Sequence, residues 1–217
     1  MNLRGQLKAY SNRLNRFLSE NKALTVYWAL ITGLLLYQHS MGWNWDFLVY
    51  LMNGEYIFHS GNFMEWLRPP VVPFIMGLLQ FVFSRTVSGY VFIALTSAAF
   101  LYAVHRFTKA YKLDKLVFYV LMLTPAAISF STREGTEMLG MVFLLLFLAD
   151  LDEAKSGIWL GLTVLTRYTY GFLLPLVLLQ KNPKKITKTF ILTGLVGLPL
   201  IVYSFFTTGD PFTSPVS

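Results

Sequence analysis

Long apolar runs separated by short polar gaps dominate the pattern of the chain. Blocks of this kind are typical of membrane helices, whereas the core positions of a soluble helix recur singly at the helical period. We therefore predict an all-α protein, a polytopic bundle of membrane helices. Some runs are shorter than the roughly twenty residues of a full crossing. Either the membrane helices extend into the polar flanks of these runs, or some segments are re-entrant. The runs cover about residues 23–37, 71–83, 90–104, 116–130, 138–149, 157–166, 169–179 and 190–206.

Residues 1–22 form a separate region before the membrane module, which we assign to residues 23–217. Four leucines between Leu3 and Leu18 share one face of a helix, and basic residues occupy the rest. This pattern predicts an amphipathic cytoplasmic helix at the membrane surface, or simply a basic cytoplasmic flank. No small-residue cleavage site follows the first apolar run, so we expect that run to remain as a membrane anchor.

The ten lysines predict the orientation of the bundle. They lie in the N-terminal region and in the segments 105–115, 150–155 and 181–188. If all these segments are cytoplasmic, the positive-inside rule holds along the whole chain. The protein is then a multi-pass cell-membrane protein with a cytoplasmic N-terminus, and the loop 38–89 and the shorter loop 131–137 face outward.

This topology requires the apolar run 71–83 to begin and end outside. At about 1.5 Å per residue, an α-helix of this run is only some 20 Å long, which is too short for the hydrocarbon core. We expect a re-entrant helix that dips into the outer leaflet. The alternative, a crossing helix, would move the lysines of segment 105–115 to the outside.

The composition excludes some kinds of site and disfavours nucleic acid as a partner. Charged residues make up 13% of the chain and hydrophobic residues 55%, and cysteine is absent. A disulfide or a thiolate metal site is therefore impossible. The net charge of +7 comes from basic residues in the gaps between apolar runs, where they meet anionic lipid headgroups, so we expect a lipid bilayer and no nucleic acid as partner.

The predicted outer side carries arginine but no lysine. Arg68, Arg85, Arg133 and Arg167 are its cations, and Arg167 lies deep between two short apolar runs. Arginine holds phosphate oxygens in two-point fashion, which suits a phosphate site at a membrane surface. The alternative is that these arginines only pair with the outward acids.

The outward loop 38–89 has the pattern of an ordered structure. Apolar residues recur at helical spacing after Asp46, which predicts a short interfacial helix beginning near that residue. The helix dipole would keep the Asp46 carboxylate ionised, able to accept a proton from a hydroxyl or to bind a divalent metal, although an ordinary helix cap is the alternative. We interpret His59 as an interfacial polar residue, since no second histidine lies near it.

The second outward loop places Arg133, Glu134 and Glu137 within five residues of one another. Carboxylates three residues apart on a helical turn share a face. A salt bridge explains part of this arrangement without any function.

The order of these features resembles the N-terminal conserved module of the GT-C glycosyltransferases, especially the protein O-mannosyltransferases and the aminoarabinose transferases. The resemblance covers nearly the whole chain and depends on the order and spacing of its motifs. These are a first outward loop opening with Asp46, then Arg68-Pro69-Pro70, Leu123-Thr124-Pro125, Arg133 to Glu137, Leu165-Thr166-Arg167-Tyr168 and Thr208-Gly209-Asp210-Pro211-Phe212.

The resemblance implies transfer of a sugar from a polyprenyl-phosphate or polyprenyl-diphosphate donor to an acceptor hydroxyl, outside the cytoplasm and with inversion. Asp46 matches the catalytic aspartate of the first loop. Arg68, Arg133 and Arg167 are candidates for binding the donor phosphate. Glu137 and Glu134 are candidates for a second carboxylate or for a ligand of Mg²⁺ or Mn²⁺.

Two departures from the family pattern matter. The Asp-Glu pair at the start of the loop is Asp46-Phe47 here, so a second carboxylate must come from elsewhere. Family members continue beyond the length of this chain, so we expect a fragment or a minimal form that works with a partner subunit or a further C-terminal domain. A non-catalytic subunit that binds a lipid carrier or acts as a scaffold is the alternative. A transporter subunit fits less well, because the charged residues cluster at one surface rather than at the midplane.

Overall fold

The computed structural model describes residues 19, 21–58, 60–65, 68–114, 116 and 136–208, and the regular secondary structure of this part of the chain is entirely helical, without a β-strand. Most of the predicted helix 1–22, the motif Leu123-Thr124-Pro125 and most of the second outward loop lie outside these residues. The helices are α1 (Lys22–Ser40), α2 (Trp45–Ile57), α3 (Val71–Gln80), α4 (Arg85–Tyr111), α5 (Thr136–Ala149), α6 (Ser156–Thr166), a 3-10 helix (Tyr168–Leu179) and α7 (Pro183–Thr208).

Two helices of the described part are long and apolar enough to cross a membrane, namely α4 and the portion 183–202 of α7. The two differ in burial, since about half of the apolar window of α4 is inside the protein and almost none of that of α7 is. The prediction of an all-α protein is confirmed. Helix α3 has ten residues and so extends for about 15 Å at 1.5 Å per residue.

The segment 169–179 differs from its prediction as an α-helix, because residues Tyr168–Leu179 form a 3-10 helix. Pro175 lies inside it and has no N–H to donate to an α-helical hydrogen bond. A 3-10 helix rises about 2.0 Å per residue, so these twelve residues reach about 24 Å, against about 18 Å for the same α-helix.

One end of the bundle collects the lysine-bearing segments, and we call it the lysine end. Arg106, late in α4, pairs with Asp150, the residue that follows α5. The Gln180 amide, after the 3-10 helix, donates to the Leu151 carbonyl at 2.6 Å and to Thr189 Oγ1 at 3.0 Å. These contacts bring together the last turns of α4 and α5, the start of α6, the end of the 3-10 helix and the start of α7.

Helix α1 runs antiparallel to α4, so its C-terminal end lies at the opposite end of the bundle. The hydroxyls of Thr32 and Ser97 are 2.7 Å apart. The buried ring of His39 packs edge-on against Tyr90, with ring centroids 5.2 Å apart, and close to Gly89. The segment 41–84 therefore starts and ends at this same end of the bundle.

Close packing through glycine joins two pairs of helices. A Cβ atom at Gly54 of α2 would lie 2.7 Å from the carbonyl oxygen of Pro73 in α3. On α6, the spacing Gly157 to Gly161 forms the small-residue motif that lets helices approach closely, and a Cβ at Gly157 would lie 2.3 Å from the Thr189 carbonyl oxygen of α7. The larger apolar core lies between helices α1 to α5.

Candidate functional site

Arg68 and Asp46 form an ion pair at the end of the bundle opposite the lysines, which we call the arginine end. The Arg68 Nε–H also donates to a carboxylate oxygen of Glu65 at 3.0 Å, and the guanidinium carbon lies 5.7 Å from the centre of the Tyr50 ring. The three charged side chains are 22% to 32% exposed. They are thus ordered by one another yet accessible to a ligand from outside.

Helix α2 presents Asp46 and Tyr50 on one face, four residues apart. Asn44 is the residue at the N-cap, and Asp46 is the second helical residue, so its carboxylate does not serve as the helix cap considered above. The face with Phe47, Leu51 and Gly54 is buried, as the spacing predicted. Gly54 packs against α3, whereas Phe47 packs against α1 and α4. The interfacial position of this helix stays a prediction.

The position of Glu65 depends on Asn53, whose side chain is fully buried in α2. The Asn53 amide donates to the Glu65 carbonyl oxygen at 2.9 Å and accepts from the Glu65 N–H at 2.8 Å. Two such bonds fix the backbone of a residue in a segment that has no helix or strand of its own. The Arg68 N–H then closes a turn onto the Glu65 carbonyl oxygen at 3.2 Å.

Two carboxylates surround one guanidinium group, so the cluster has a net charge of −1. Burial alone would lower the pKa of Arg68, but Asp46 and Glu65 outweigh it and raise that pKa above its ordinary value. Arg68 therefore remains charged at every accessible pH. Its guanidinium has five N–H groups, so donors remain for a further anion beyond those that bind the two carboxylates.

Arg167 forms a second ion pair, with Glu137, in the same part of the bundle. Glu137 lies in the first turn of α5, and Arg167 directly follows α6. The start of α5 and the end of α6 therefore lie at the arginine end, as the Arg68 cluster does. Arg167, which follows the apolar helix α6, is thus neutralised by a carboxylate.

Arg85 and Glu55 form a third pair at the arginine end, through two parallel hydrogen bonds of 2.6 and 2.5 Å. The Arg85 side chain is 46% exposed. This pair connects the end of α2 to the start of α4. Because both guanidinium edge nitrogens bind Glu55, we regard it as a structural contact.

The arginines that were predicted to face outward do pair with acids predicted to face the same way: Arg68 with Asp46, Arg85 with Glu55 and Arg167 with Glu137. Arg133, Glu134 and His59 lie outside the described residues. The roles of Asp46 as a base and of the arginines as phosphate ligands stay predictions.

Asp46 and Glu137, the carboxylates expected to bind Mg²⁺ or Mn²⁺, each face an arginine. In the part of the chain that the structure describes, no group of three or more histidine, aspartate or glutamate side chains could hold a metal ion. A metal at either carboxylate would first have to displace a guanidinium group, and the binding of Mg²⁺ or Mn²⁺ stays a prediction.

An apolar groove of about 250 Å³ runs between α3, α4 and α5. Its walls include Ile75, Phe92, Tyr102 and Phe143, and none of the four paired residues Asp46, Arg68, Glu137 and Arg167 lines it. The groove is therefore separate from the paired residues at the arginine end.

Sequence reasoning did not single out Tyr50, Asn53 or Glu65 as site residues. Glu65 precedes Arg68 by three residues, a spacing typical of local ion pairs, and that signal was available. Asn53 is a polar residue on the buried side of an apolar helix, which indicates a satisfied hydrogen bond but not its partner. Comparison of the chain with known protein families, with curated proteins and with solved structures found no match.

Proposed function

We propose that this protein is a membrane glycosyltransferase that moves a sugar from a polyprenyl-phosphate donor to an acceptor hydroxyl on the extracytoplasmic side, with inversion. The observation that carries the proposal is the cluster of Asp46 and Arg68 at the arginine end, the end of the bundle where Arg167 and Glu137 also pair. A partly exposed carboxylate beside an arginine with spare donors suits a reaction in which a hydroxyl loses a proton and a phosphate leaves.

The chemistry would proceed in one displacement at the sugar C1. The acceptor oxygen forms a bond to C1, its proton passes to the Asp46 carboxylate, and the bond between C1 and the phosphate oxygen breaks. The electron pair stays on the polyprenyl phosphate, whose growing charge is met by the fixed guanidinium groups of Arg68 and Arg167. Attack from the face opposite the leaving group produces inversion.

The multi-pass topology belongs to this proposal. Support comes from the segregation of the described lysines to one end of the bundle, which the positive-inside rule assigns to the cytoplasm. The arginine end then faces outward. Helix α3 is short and lies in a segment that starts and ends at that end, which favours a re-entrant helix.

A non-catalytic protein that binds a lipid carrier is the second candidate. The observation in its favour is that Arg68 already binds Asp46, so a hydroxyl proton and the guanidinium compete for the same carboxylate. Donor binding without transfer would identify this function.

The deciding experiment uses the full chain in proteoliposomes with a panel of labelled polyprenyl-phosphate sugars and a membrane extract as the source of acceptor. We expect one donor to be consumed, with release of polyprenyl phosphate and a product of opposite anomeric configuration. Binding of a donor without its consumption would favour the carrier-binding protein. If no member of the panel binds, both functions are wrong.

A further inference from the structure

Glu65 and Asp46 bind different nitrogens of the same guanidinium. Glu65 accepts from Nε of Arg68, whereas Asp46 accepts from the terminal nitrogen Nη2. This division leaves Nη1, together with the second N–H of Nη2, for another acceptor. The edge of Arg68 that includes Nε is therefore used for orientation, and its far end is left for a ligand.

The Glu65 carboxylate, which accepts from Nε of Arg68, is kept in place by a buried residue. Asn53 fixes both backbone groups of Glu65, and Asn53 itself is fully buried in α2. The Tyr50 ring, on the same helix, lies beside the guanidinium at 5.7 Å. Helix α2 thus orients Arg68 directly through Asp46 and Tyr50. It also orients Arg68 indirectly, through the bonds of Asn53 to Glu65.

We propose that Glu65, fixed by Asn53, is a positioning residue that orients Arg68 for the phosphate of a polyprenyl-phosphate ligand. The inference rests on the proposed function. Glu65 then provides a second carboxylate in this cluster, since the residue after Asp46 is Phe47. Glu65 acts through Arg68 and does not touch the ligand. Its charge even opposes an approaching phosphate, so the value of Glu65 lies in geometry and not in charge.

That distinction leads to opposite expectations for two variants. Glu65→Gln keeps an oxygen that accepts from Nε but removes the negative charge, so the orientation persists and phosphate repulsion falls. Glu65→Ala removes the acceptor altogether and frees the guanidinium to rotate toward Asp46. Glu55→Ala is the matched control, because it breaks an Arg–Glu pair at the same end of the bundle.

The test measures the affinity of the full chain in nanodiscs for undecaprenyl phosphate, with inorganic phosphate as a second probe. We expect Glu65→Ala to weaken binding of the lipid by about tenfold, as expected for loss of a charge-assisted hydrogen bond that orients the ligand's partner. Glu65→Gln should bind at least as tightly as the wild type, and Glu55→Ala should match the wild type. Thermal melting of each variant checks that the fold is retained.

The outcomes separate the inference from the function on which it rests. If the wild type binds undecaprenyl phosphate and Glu65→Ala binds it equally well, the positioning role is wrong and the proposed function stands. Equal weakening in Glu65→Ala and Glu65→Gln would show that charge matters rather than orientation, and would also overturn the inference. If the wild type binds inorganic phosphate equally well, the site recognises phosphate rather than a lipid. If the wild type binds neither undecaprenyl phosphate nor inorganic phosphate, the proposed function itself is wrong.

Discussion

Arg167 pairs with Glu137, which lies thirty residues earlier in the chain. The pair joins the end of α6 to the start of α5 and places an arginine that follows an apolar helix beside a carboxylate. A charge in this setting is stable only with a partner or with water around it. The pair therefore explains how the sequence tolerates an arginine between two apolar segments.

The proposed orientation can be tested by labelling, because the chain has no cysteine. Lys109→Cys lies at the lysine end and Asn62→Cys in the first outward loop, and both positions are exposed. We expect a membrane-impermeant maleimide added to intact cells to label position 62 and not position 109. Permeabilised cells provide the control, in which both should react. Labelling of position 109 from outside would contradict the re-entrant topology.

Asp46→Asn tests the proposed base. The variant retains the size of the side chain but cannot take up the acceptor proton, so we expect transfer to fall by about a hundredfold or more. Donor affinity should stay equal or increase, because Arg68 loses a competing carboxylate. Initial rates of transfer and the Kd for the donor provide the two measurements. Retention of more than about a tenth of the wild-type rate would remove Asp46 from the mechanism.

Arg68→Lys tests whether the guanidinium fork matters for binding the donor. Lysine keeps the charge but loses the two-point geometry and the simultaneous contacts with Asp46 and Glu65. We expect the donor Kd to rise by about tenfold. Arg85→Lys, at a pair that we regard as structural, should leave the Kd unchanged. Equal effects of the two substitutions would indicate that only net charge at this end is important.

The packing of α6 on α7 predicts a large effect of a single methyl group. In Gly157→Ala the new Cβ would lie 2.3 Å from the Thr189 carbonyl oxygen, so the helices must move apart. We expect a loss of about 2 kcal/mol in the free energy of unfolding, as for other overpacked sites. Gly194→Ala is the control, because no atom lies within 4 Å of its Cβ position, and alanine there should be neutral or stabilising. Unfolding in mixed micelles measures both.

Asp150 is buried at the lysine end and accepts from Arg106 and from the Trp159 indole N–H at 3.1 Å. Asp150→Asn removes the charge that neutralises Arg106 and replaces one of the two acceptor oxygens by an NH2 group, so one donor loses its acceptor and we expect a loss of roughly 2 kcal/mol of stability. The exposed Asp152→Asn should change the stability by less than about 0.5 kcal/mol. A comparable loss in both variants would show that Asp150 has no special role in joining α4 to α6.

The local sequence pattern was sufficient to predict the helical segments. Apolar runs and helical spacing predicted helical segments, including α2 and its buried face with Phe47 and Leu51. The spacing of three between Glu65 and Arg68 was also visible, since it depends only on neighbours along the chain. These features follow from backbone hydrogen bonding and from the removal of apolar surface from water, which act over a few residues.

Tertiary structure alone decided which charges meet. Arg68 pairs with Asp46, which lies twenty-two residues earlier in the chain. The two meet because the bonds between Asn53 and Glu65 hold the segment before Arg68 against α2. The pairing of Arg167 with Glu137 likewise depends on the packing of α5 against α6. The 3-10 form of residues Tyr168–Leu179 was also not readable from composition, since an apolar run has no period that separates it from an α-helix. Long-range ion pairs depend on helix directions and crossing points, which are set by the packing of the whole bundle and not by any short stretch of sequence.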